Sequence, residues 1–405
     1  MLKTSIKLNK FDRSNYINFN KIQSFTRSMK IPFNRPYLTG NEIDLINKAI
    51  LNQKISGNGH FTNICQQFFE KRYGLKKALL TNSCTSALEM AAILINIKPG
   101  DEVIIPSYTF VSTANAFVLR GAKIVFCDSK INHPGIDEDK IEALITSKTK
   151  AIVPVHYGGI ACNMFKIMYV AKKYNLFVIE DAAQAIEGNY TFPNGQIKAL
   201  GSIGHLATFS FHETKNIISG EGGLLAINDT QFIERSEVIW EKGTNRSAFF
   251  RGEVNQYEWV DIGSSYFPSE ITAAFLVAQL QSITAIQKKR KKIWDYYLNN
   301  LEGSSKFFLT PEIPEYSNNN SHLFYLSFNS NEDRARTIQH LKKNDILAVF
   351  HYISLHSSSF YEDKYEGSEL DNCNKFSDTL LRLPFYTDIT IEEQTKVIEK
   401  IKEVN

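Results

Sequence analysis

One lysine lies in a setting that could make it a nucleophile. Lys215 falls in a polar loop between two apolar segments, 206–211 and 223–227, and each segment is predicted to be a buried strand. A lysine held between buried strands is partly removed from water, and desolvation favours the neutral amine that attacks a carbonyl carbon. Lys215 is therefore a candidate to hold an aldehyde covalently, although a surface lysine in a hairpin turn is the ordinary alternative.

A candidate anion site follows the predicted strand 78–81. Cys84 and Thr85 open a predicted helix there, and the free N–H groups and dipole of a helix N-terminus favour an anion such as phosphate. Ser210, at the end of the strand before Lys215, can add a hydroxyl to such a site. Taken alone, the pattern is better explained as an ordinary serine or threonine helix cap.

Three further side chains follow predicted strands. Phe110, after strand 102–106, is suited to stack on a planar ring, although a core aromatic is the default. Asp181, after the apolar segment 176–179, is costly to bury unless it meets a cation such as a protonated pyridine nitrogen. An aspartate that caps the next helix is the alternative. His156 falls at the same predicted edge, where a structural histidine is at least as consistent as a catalytic one.

These candidates together match one cofactor. Pyridoxal 5′-phosphate has a phosphate, a flat ring, a pyridine nitrogen and an aldehyde, and the chain offers a candidate group for each of them. Ligands of parallel sheets bind beyond the carboxyl ends of the strands, so all the candidates are expected at one edge of a sheet. The sequence therefore predicts a pyridoxal phosphate site, and it predicts no metal.

The elements that must position these side chains alternate along the chain. Apolar runs of strand length are separated by single segments of helical periodicity, which is typical of a mostly parallel sheet covered by helices on both faces. The predicted strands are 78–81, 102–106, 123–127, 151–155, 176–179, 206–211 and 223–227. The predicted helices are one capped by Asn41, then 61–73, 85–96, 111–119, 137–146 and 164–174.

The C-terminal part of the chain has a different pattern. The predicted elements there are long helices over 268–302, a strand at 323–328, a helix at 333–343, a strand at 347–351 and a final helix from Glu392. A polar loop separates the long helices from the strands and helices that follow, and this mixture of elements is typical of a small α+β unit. We therefore predict a large cofactor-binding domain over 31–267 and a small C-terminal domain over 268–405.

Charge and composition exclude several classes of protein. Residues 1–30 contain seven Lys and Arg against one acid, whereas the net charge of the whole chain is only +3. We predict a disordered, chemically inert N-terminal extension there, with a transit peptide as the alternative. The rest of the chain lacks the basic surface that nucleic acid or a membrane requires. Five widely spaced cysteines and no long apolar run predict a cytoplasmic protein with reduced thiols.

Several motifs resemble those of one enzyme family. The motifs are TNSCTSALE at 81–89, PSYTF at 106–110, PVHYGG at 154–159, EDAAQ at 180–184 and FSFHETK at 209–215. They resemble the DegT/DnrJ/EryC1/StrS sugar aminotransferases, and the resemblance implies an α/β fold of the fold-type I, aspartate aminotransferase-like class. Within the family the chain is most similar to dTDP-4-amino-4,6-dideoxygalactose transaminases, through IPFN at 31–34, EKGTNR at 241–246, DIGSSY at 261–266 and VFHYI at 349–353.

The resemblance implies a role for each residue that matches the family's cofactor motifs. Lys215 would hold the aldehyde covalently and later shuttle a proton, and Asp181 would pair with the ring nitrogen. Gln184 would bond to the phenolic oxygen of the ring, and Phe110 would stack on its face.

The phosphate contacts implied by the resemblance include one departure from the family pattern. Cys84, Thr85 and Ser210 would hold the phosphate, with Cys84 in a position where glycine is usual, so that its backbone is the expected contact. Ser265 stands where many relatives use an asparagine from the neighbouring subunit. The resemblance therefore implies a homodimer with shared sites.

The resemblance also implies a substrate and an amino donor. An amino group would pass from L-glutamate to C4 of a dTDP-linked 4-keto-6-deoxyhexose, giving dTDP-4-amino-4,6-dideoxygalactose for a surface polysaccharide such as O-antigen. Arg246 and Arg251 are candidate contacts for the diphosphate, although solvated surface arginines are equally consistent with the sequence. His156 and His351 are candidate sugar contacts.

Three alternatives to this reaction stay open at the level of sequence. The product could be the C4 epimer, dTDP-4-amino-4,6-dideoxyglucose. A dehydratase with the same cofactor is disfavoured, because relatives with that activity carry a histidine at the position of Lys215. A non-catalytic sensor on the same fold is disfavoured because it predicts a degraded site, whereas the site motifs are intact.

Overall fold

The computed structural model describes residues 30–404, so the prediction for the N-terminal extension lies almost wholly outside the described residues. The strands are β1 (Lys77–Thr81), β2 (Glu102–Pro106), β3 (Lys123–Cys127), β4 (Thr149–Ile152), β5 (Phe177–Asp181), β6 (Asn189–Thr191), β7 (Ile197–Ala199), β8 (Leu206–Ser210), β9 (Gly223–Ile227), β10 (Phe308–Leu309), β11 (Tyr325–Phe328) and β12 (Leu380–Arg382). The helices are α1 (Glu42–Leu51), α2 (His60–Tyr73), α3 (Cys84–Leu94), α4 (Val111–Val118), α5 (Glu138–Ile141), α6 (Met164–Tyr174), α7 (Ile233–Trp240), α8 (Arg246–Phe250), α9 (Glu270–Gln281), α10 (Ile283–Leu301), α11 (Asn331–Lys343), α12 (Asp371–Thr379) and α13 (Ile391–Lys402).

Seven strands form the central sheet in the order β1-β9-β8-β5-β4-β2-β3. Only β9 runs against its neighbours in that sheet, pairing antiparallel with both β1 and β8, while the remaining pairs are parallel. The predicted mostly parallel sheet is therefore confirmed, and the predicted bounds of β2, β3 and α6 are confirmed to the residue.

Alternation along each apolar strand divides the interior into two cores, one on each face of the sheet. On β2, Ile104 belongs to one core, whereas Val103 and Ile105 belong to the other. On β5, Val178 and Ile179 are divided in the same way. Because both faces are covered by helices, the strands carry apolar residues at nearly every position, as parallel sheets do.

The register of three strands brings distant residues into one row at the carboxyl edge. Gly223 on β9 lies opposite Thr81 at the end of β1 and opposite Ser210 at the end of β8. A Cβ on Gly223 would collide with the backbone of Ser83, which begins the turn into α3. Glycine at this position therefore lets the N-terminus of α3 and the end of β8 lie against each other.

A second lobe is built from the antiparallel sheet β10-β11-β12 with α10, α11 and α13. Its separate core includes Phe324, Leu326 and Leu381, and Ile31 from the start of the described chain. By contrast, α9 packs on α1 and α2. The domain division at residues 267 and 268 stays a prediction.

One sequence-based strand is wrong in this lobe. Residues 347–351 were expected to form a strand, but the structure has only a single bridge there, between Val349 and Arg382. The backbone changes partner within this stretch, because Leu347 donates its N–H to Ile31 and Val349 donates to Arg382. No two consecutive residues pair with the same strand, so no regular strand forms.

Among residues 30–404, no helix combines the length and apolarity needed to cross a bilayer.

Candidate active site

A cavity of about 650 Å³ opens where the strands of the central sheet end. It brings together eight of the residues predicted from sequence: Cys84, Thr85, Phe110, Asp181, Gln184, Ser210, Lys215 and His351. Strands β5 and β8 supply Asp181 and Ser210. The starts of α3 and α4 supply Cys84, Thr85 and Phe110, and loops supply Gln184, Lys215 and His351. The expected meeting of these side chains at one edge of the sheet is therefore what the structure shows.

Lys215 enters the cavity from the loop between β8 and β9. The loop is closed at its base by bonds from Ser219 N–H to Phe211 O (2.7 Å) and from Phe211 N–H to Gly222 O (2.9 Å). Burial lowers the pKa of Lys215; nearby Cys84 and Asp181 act in the opposite direction. Within the described part of the chain, its Nζ makes no hydrogen bond or ion pair. The amine is thus free to act as a nucleophile or a base.

Asp181 ends β5 and presents a buried carboxyl group to the same cavity. Its Oδ2 accepts a hydrogen bond from Thr113 Oγ1 (2.8 Å), and its Oδ1 accepts one from Ala183 N–H (3.1 Å). Burial raises the pKa of Asp181, although both of these bonds and the charge of Lys215 lower it in part. No cation lies within ion-pair distance among residues 30–404. A cationic ligand group would therefore be stabilised here.

The preceding acid, Glu180, is fully satisfied on the other face of β5. Its carboxylate accepts bonds from His156 Nε2 (3.0 Å) and from the N–H groups of Gly201 (2.8 Å), Ile203 (2.7 Å) and Gly204 (2.6 Å). The other ring nitrogen of His156 accepts a bond from Cys162 N–H (3.2 Å). His156 is fully buried and has no nitrogen left for a ligand, so its prediction as a sugar contact is wrong.

The N-terminus of α3, where the anion site is predicted, has free hydrogen-bond donors. Ser83 caps the helix by accepting a bond from Ser86 N–H (3.1 Å), while the N–H groups of Cys84 and Thr85 donate to no group in the described chain. Thr85 Oγ1 lies 2.8 Å from Ser112 Oγ on α4, a hydroxyl that the sequence analysis did not identify. Two free amide donors, two hydroxyls and a helix dipole together suit a phosphate.

Cys84 contributes its backbone more readily than its thiol. Burial raises the pKa of Cys84 to about 12, and the charge of Asp181 acts in the same direction. The thiol therefore stays neutral at physiological pH, and it is a weak donor compared with an amide N–H. This agrees with the expectation that the backbone is the contact at this position.

Gln184 and a cluster of aromatic residues form another wall of the cavity. Gln184 Oε1 accepts a bond from Gly158 N–H (2.7 Å), and Nε2 donates to Tyr352 OH (3.0 Å), which leaves one N–H for a ligand. His351 Nδ1 lies 2.7 Å from Tyr157 OH, and its ring stacks on Tyr352 with centroids 3.5 Å apart. Burial lowers the pKa of His351 well below its ordinary value, so the ring is neutral.

Two cavity residues from opposite ends of the chain complete the lining. Phe110 is 54% exposed, so the face of its ring is available to stack on a flat ligand. Arg382 on β12 was missed in the sequence; its only visible signal is a basic residue inside an apolar run. Its Nη2 donates to Phe350 O (3.1 Å), while its buried Nε has no partner in the described chain. Arg382 can therefore accept an anion.

Three predicted residues do not reach this cavity. Arg251 is held by Glu237 (2.8 Å) and Glu253 (2.8 Å), which use most of its donors. Arg246 lies over the ring of Phe250 and 3.8 Å from a carboxylate of Glu241. Neither arginine therefore lines this cavity, and their contact with the diphosphate stays a prediction.

Ser265 is the third of these residues. It is exposed, and its backbone carbonyl accepts a bond from Asn82 Nδ2 (3.3 Å). Asn82 lies just before the turn that opens α3, so Ser265 is near the rim of the anion site without lining the cavity.

The residues present fit pyridoxal phosphate. The free N–H groups at the start of α3 suit its phosphate, the exposed face of Phe110 suits its ring, and the carboxylate of Asp181 suits a protonated ring nitrogen. Lys215 supplies an amine with a lowered pKa for the aldehyde. The fold and the site together define the class of fold-type I pyridoxal phosphate-dependent transferases.

Comparison with known proteins identifies the family. The chain belongs to the DegT/DnrJ/EryC1/StrS aminotransferase family, whose sequence profile matches residues 36–402. The spore coat polysaccharide biosynthesis protein SpsC of Bacillus subtilis is 32% identical over 93% of this chain and 98% of its own length. Protein MJ1066 of Methanocaldococcus jannaschii is 33% identical over the same shares. The Streptococcus pneumoniae protein Spr1654, solved in its PMP form, superposes with a TM-score of 0.84 at 25% identity, over 92% of this chain and 98% of that one.

Proposed function

We propose that this aminotransferase moves an amino group from L-glutamate to C4 of a dTDP-linked 4-keto-6-deoxyhexose and so makes dTDP-4-amino-4,6-dideoxygalactose for a surface polysaccharide. The observation that carries the proposal is one cavity that contains a lysine amine and a buried aspartate, neither of which has an ion-pair partner among the described residues. The similarity to SpsC supports a sugar substrate. The resemblance of the 241–246, 261–266 and 349–353 motifs supports the particular sugar.

The chain's own residues divide the work of the reaction. Pyridoxal phosphate, when bound, supplies an electron-withdrawing ring that lets a carbon next to nitrogen lose its proton. Nζ of Lys215 removes and returns that proton, which requires the neutral amine that burial favours. Asp181 keeps the ring nitrogen protonated, while Cys84 and Thr85 hold the phosphate through their N–H groups.

The amino donor needs a cation for its carboxylate, and Arg382 is the best candidate. Arg382 lines the cavity, has an unpartnered buried Nε and makes no ion pair within the described chain. Its Cζ lies 4.6 Å from the centre of the Phe33 ring, which holds the plane of the group in place. A planar guanidinium binds a carboxylate with two parallel hydrogen bonds.

A second copy of the chain completes the site in this proposal. The surface around Ser265 carries apolar side chains that are unusually exposed, among them Trp259 at 80% and Ile262 at 42%. Leu51 and Ile55, next to the loop that bonds to Glu241, are exposed as well. Exposed apolar side chains of this kind are typical of an interface, and such an interface would carry Arg246 to the partner's substrate.

The decisive test of the reaction is replacement of the lysine. Lys215→Ala should abolish both the adduct that borohydride reduces onto the wild-type protein and the transfer of nitrogen from glutamate. Lys173→Ala, which changes an exposed lysine outside the cavity, should leave both unchanged. A Lys215→Ala protein with full transaminase activity would overturn the proposal.

The product is tested separately, by incubation with dTDP-4-keto-6-deoxyglucose and glutamate followed by NMR of the sugar. An axial amine at C4 supports the galacto product, and an equatorial amine would replace it with the C4 epimer. A deoxygenated sugar without nitrogen would indicate a dehydratase instead.

Shared sites are tested by mixing two inactive variants. In a dimer of Lys215→Ala with Arg246→Glu, one of the two sites has Lys215 from one copy and Arg246 from the other. We expect such dimers to regain activity that neither variant has alone. Failure to regain it, or a monomer in sedimentation at assay concentration, would contradict the shared site.

A further inference from the structure

A short chain of hydroxyl groups leads to the carboxylate of Asp181. Thr113 on α4 is fully buried, and its Oγ1 lies 2.8 Å from Asp181 Oδ2. Thr109, also buried, lies four residues earlier, just before the residue that caps α4, with its Oγ1 3.0 Å from that of Thr113. No other side-chain hydroxyl in the described chain is bonded to Asp181, so these two threonines are a dedicated support.

The direction of the protons in this chain follows from the chemistry of the groups. An ionised carboxylate only accepts hydrogen bonds, so the single hydroxyl proton of Thr113 points to Asp181. Thr113 then has only lone pairs left for Thr109, and Thr109 must be the donor between them. Each hydroxyl thus polarises the next toward the negative charge, which strengthens the bond at its end.

Thr113 lies in the first turn of α4, so the residue four positions earlier precedes the helix. A buried threonine in a helix interior commonly returns its hydroxyl to the carbonyl group four residues earlier. Thr337 on α11, equally buried, does so by donating to Asp333 O at 2.8 Å. Thr113 instead reaches across to β5. Its hydroxyl is therefore used for the site and not for its own helix.

The electrostatic effect of this bond has a definite sign. Burial raises the pKa of Asp181, and the hydrogen bond from Thr113 is the largest influence that lowers it again. The other groups that lower it are the N–H of Ala183 and the charges of Lys215 and His156. Removing the hydroxyl of Thr113 would therefore make the ionised form of Asp181 less stable.

We propose that Thr113, supported by Thr109, is a positioning residue that keeps Asp181 ionised and directed into the cavity, and that it thereby holds the proton on the ring nitrogen of the cofactor. The inference rests on the proposed role of Asp181. It adds a residue whose effect on the reaction passes entirely through that carboxylate.

The test compares three substitutions in the cofactor-loaded protein. Thr113→Val keeps the shape of the side chain and removes the hydroxyl, Thr113→Ser keeps the hydroxyl, and Thr337→Val removes an equally buried hydroxyl far from the cavity. The readout is the ¹⁵N chemical shift of labelled pyridoxal phosphate, which reports whether its ring nitrogen is protonated. In Thr113→Val that nitrogen should lose its proton at a pH lower by about one unit, equivalent to about tenfold.

Kinetics and cofactor binding provide the second readout. Thr113→Val should lower kcat by about tenfold and weaken the binding of pyridoxal phosphate to the apoprotein by a similar factor, as expected for a bond to a charged group. KM for the sugar should change little. Thr113→Ser should recover most of the loss, Thr109→Val should show a smaller loss, and Thr337→Val should show none.

The outcomes separate this inference from the proposed function. If borohydride still attaches the cofactor to Lys215 in Thr113→Val, but its nitrogen shift and kcat equal those of the wild type, the role of Thr113 is refuted and the aminotransferase site stands. If Thr113→Ser is as impaired as Thr113→Val, packing and not the hydroxyl is responsible, and the inference also fails.

Discussion

Two adjacent carboxylates on β5 lie in two different regions of the molecule, and the contrast between them separates structure from chemistry. Glu180 points into the region behind the sheet, where His156 and three backbone N–H groups hold it. Asp181 points into the cavity, where it has two hydrogen bonds and no counter-ion in the described chain. The hydrogen-bonding capacity of Glu180 is satisfied within the protein, whereas Asp181 needs a cationic ligand group to balance its charge.

The same contrast applies to their acidity. Burial acts to raise the pKa of both groups, but His156 and the backbone donors outweigh it at Glu180 and lower its pKa below the ordinary 4.5. At Asp181 burial prevails, and the pKa lies above the ordinary 3.8. A buried acid with a raised pKa in a cavity indicates function, whereas a saturated one indicates a structural role.

The largest expected effect comes from Asp181→Asn, which tests the cavity side of the comparison. It should lower kcat by about 200- to 5,000-fold, because removing one partner of a buried charge pair costs about 3–5 kcal/mol. In the apoprotein the same change should not lower the free energy of unfolding, since it removes a buried charge that has no counter-ion among residues 30–404. Urea unfolding of the apoprotein together with steady-state kinetics checks both halves, and an active but unstable variant would refute the assignment.

Glu180→Gln tests the other side and should show the reverse pattern. The amide places N–H groups against backbone donors, so the free energy of unfolding should fall by about 3 kcal/mol. The kcat of the folded fraction should stay within about threefold of wild type, since nothing in the cavity changes. Glu142→Gln, at an exposed acid, is the matched control and should shift stability by less than about 0.5 kcal/mol.

The smallest effect is a difference in the pH dependence of stability. Glu180 has a lowered pKa, so its contribution is present above pH 4.5 and is lost as the pH falls below that value. Asp181 has a raised pKa, so its ionisation begins to destabilise the apoprotein as the pH rises above 3.8. Urea unfolding across this range gives the slope of the free energy of unfolding against pH. Glu180→Gln and Asp181→Asn should change that slope in opposite directions, each by at most about 1.4 kcal/mol per pH unit.

Local patterns were sufficient to predict the parts of the site that follow strands. Lys215, Asp181, Thr85 and Ser210 were found because a short apolar run ends just before each of them or before the helix that carries it. In a parallel sheet such positions converge whatever the details of the loops. This is why the predicted cofactor site assembled in one cavity.

Contacts that depend on tertiary register could not be predicted. Thr113 meets Asp181 because the first turn of α4 lies beside the end of β5, and no spacing in the sequence encodes that approach. Arg382 reaches the cavity from a strand in the second lobe, which the sequence analysis did not find. His156 was misplaced because the end of a strand says nothing about which face a side chain takes.

The antiparallel position of β9 has a consequence for how far the lysine can travel. Strands β8 and β9 are neighbours in the sheet and are joined directly by the loop that carries Lys215. Both ends of that loop are therefore anchored to the sheet. The loop cannot swing like a hinged lid, so any excursion of the amine between a bonded cofactor and a substrate proton must come from its own four-carbon arm. Anchoring the loop in this way limits how far the amine can move and fixes the direction in which it points.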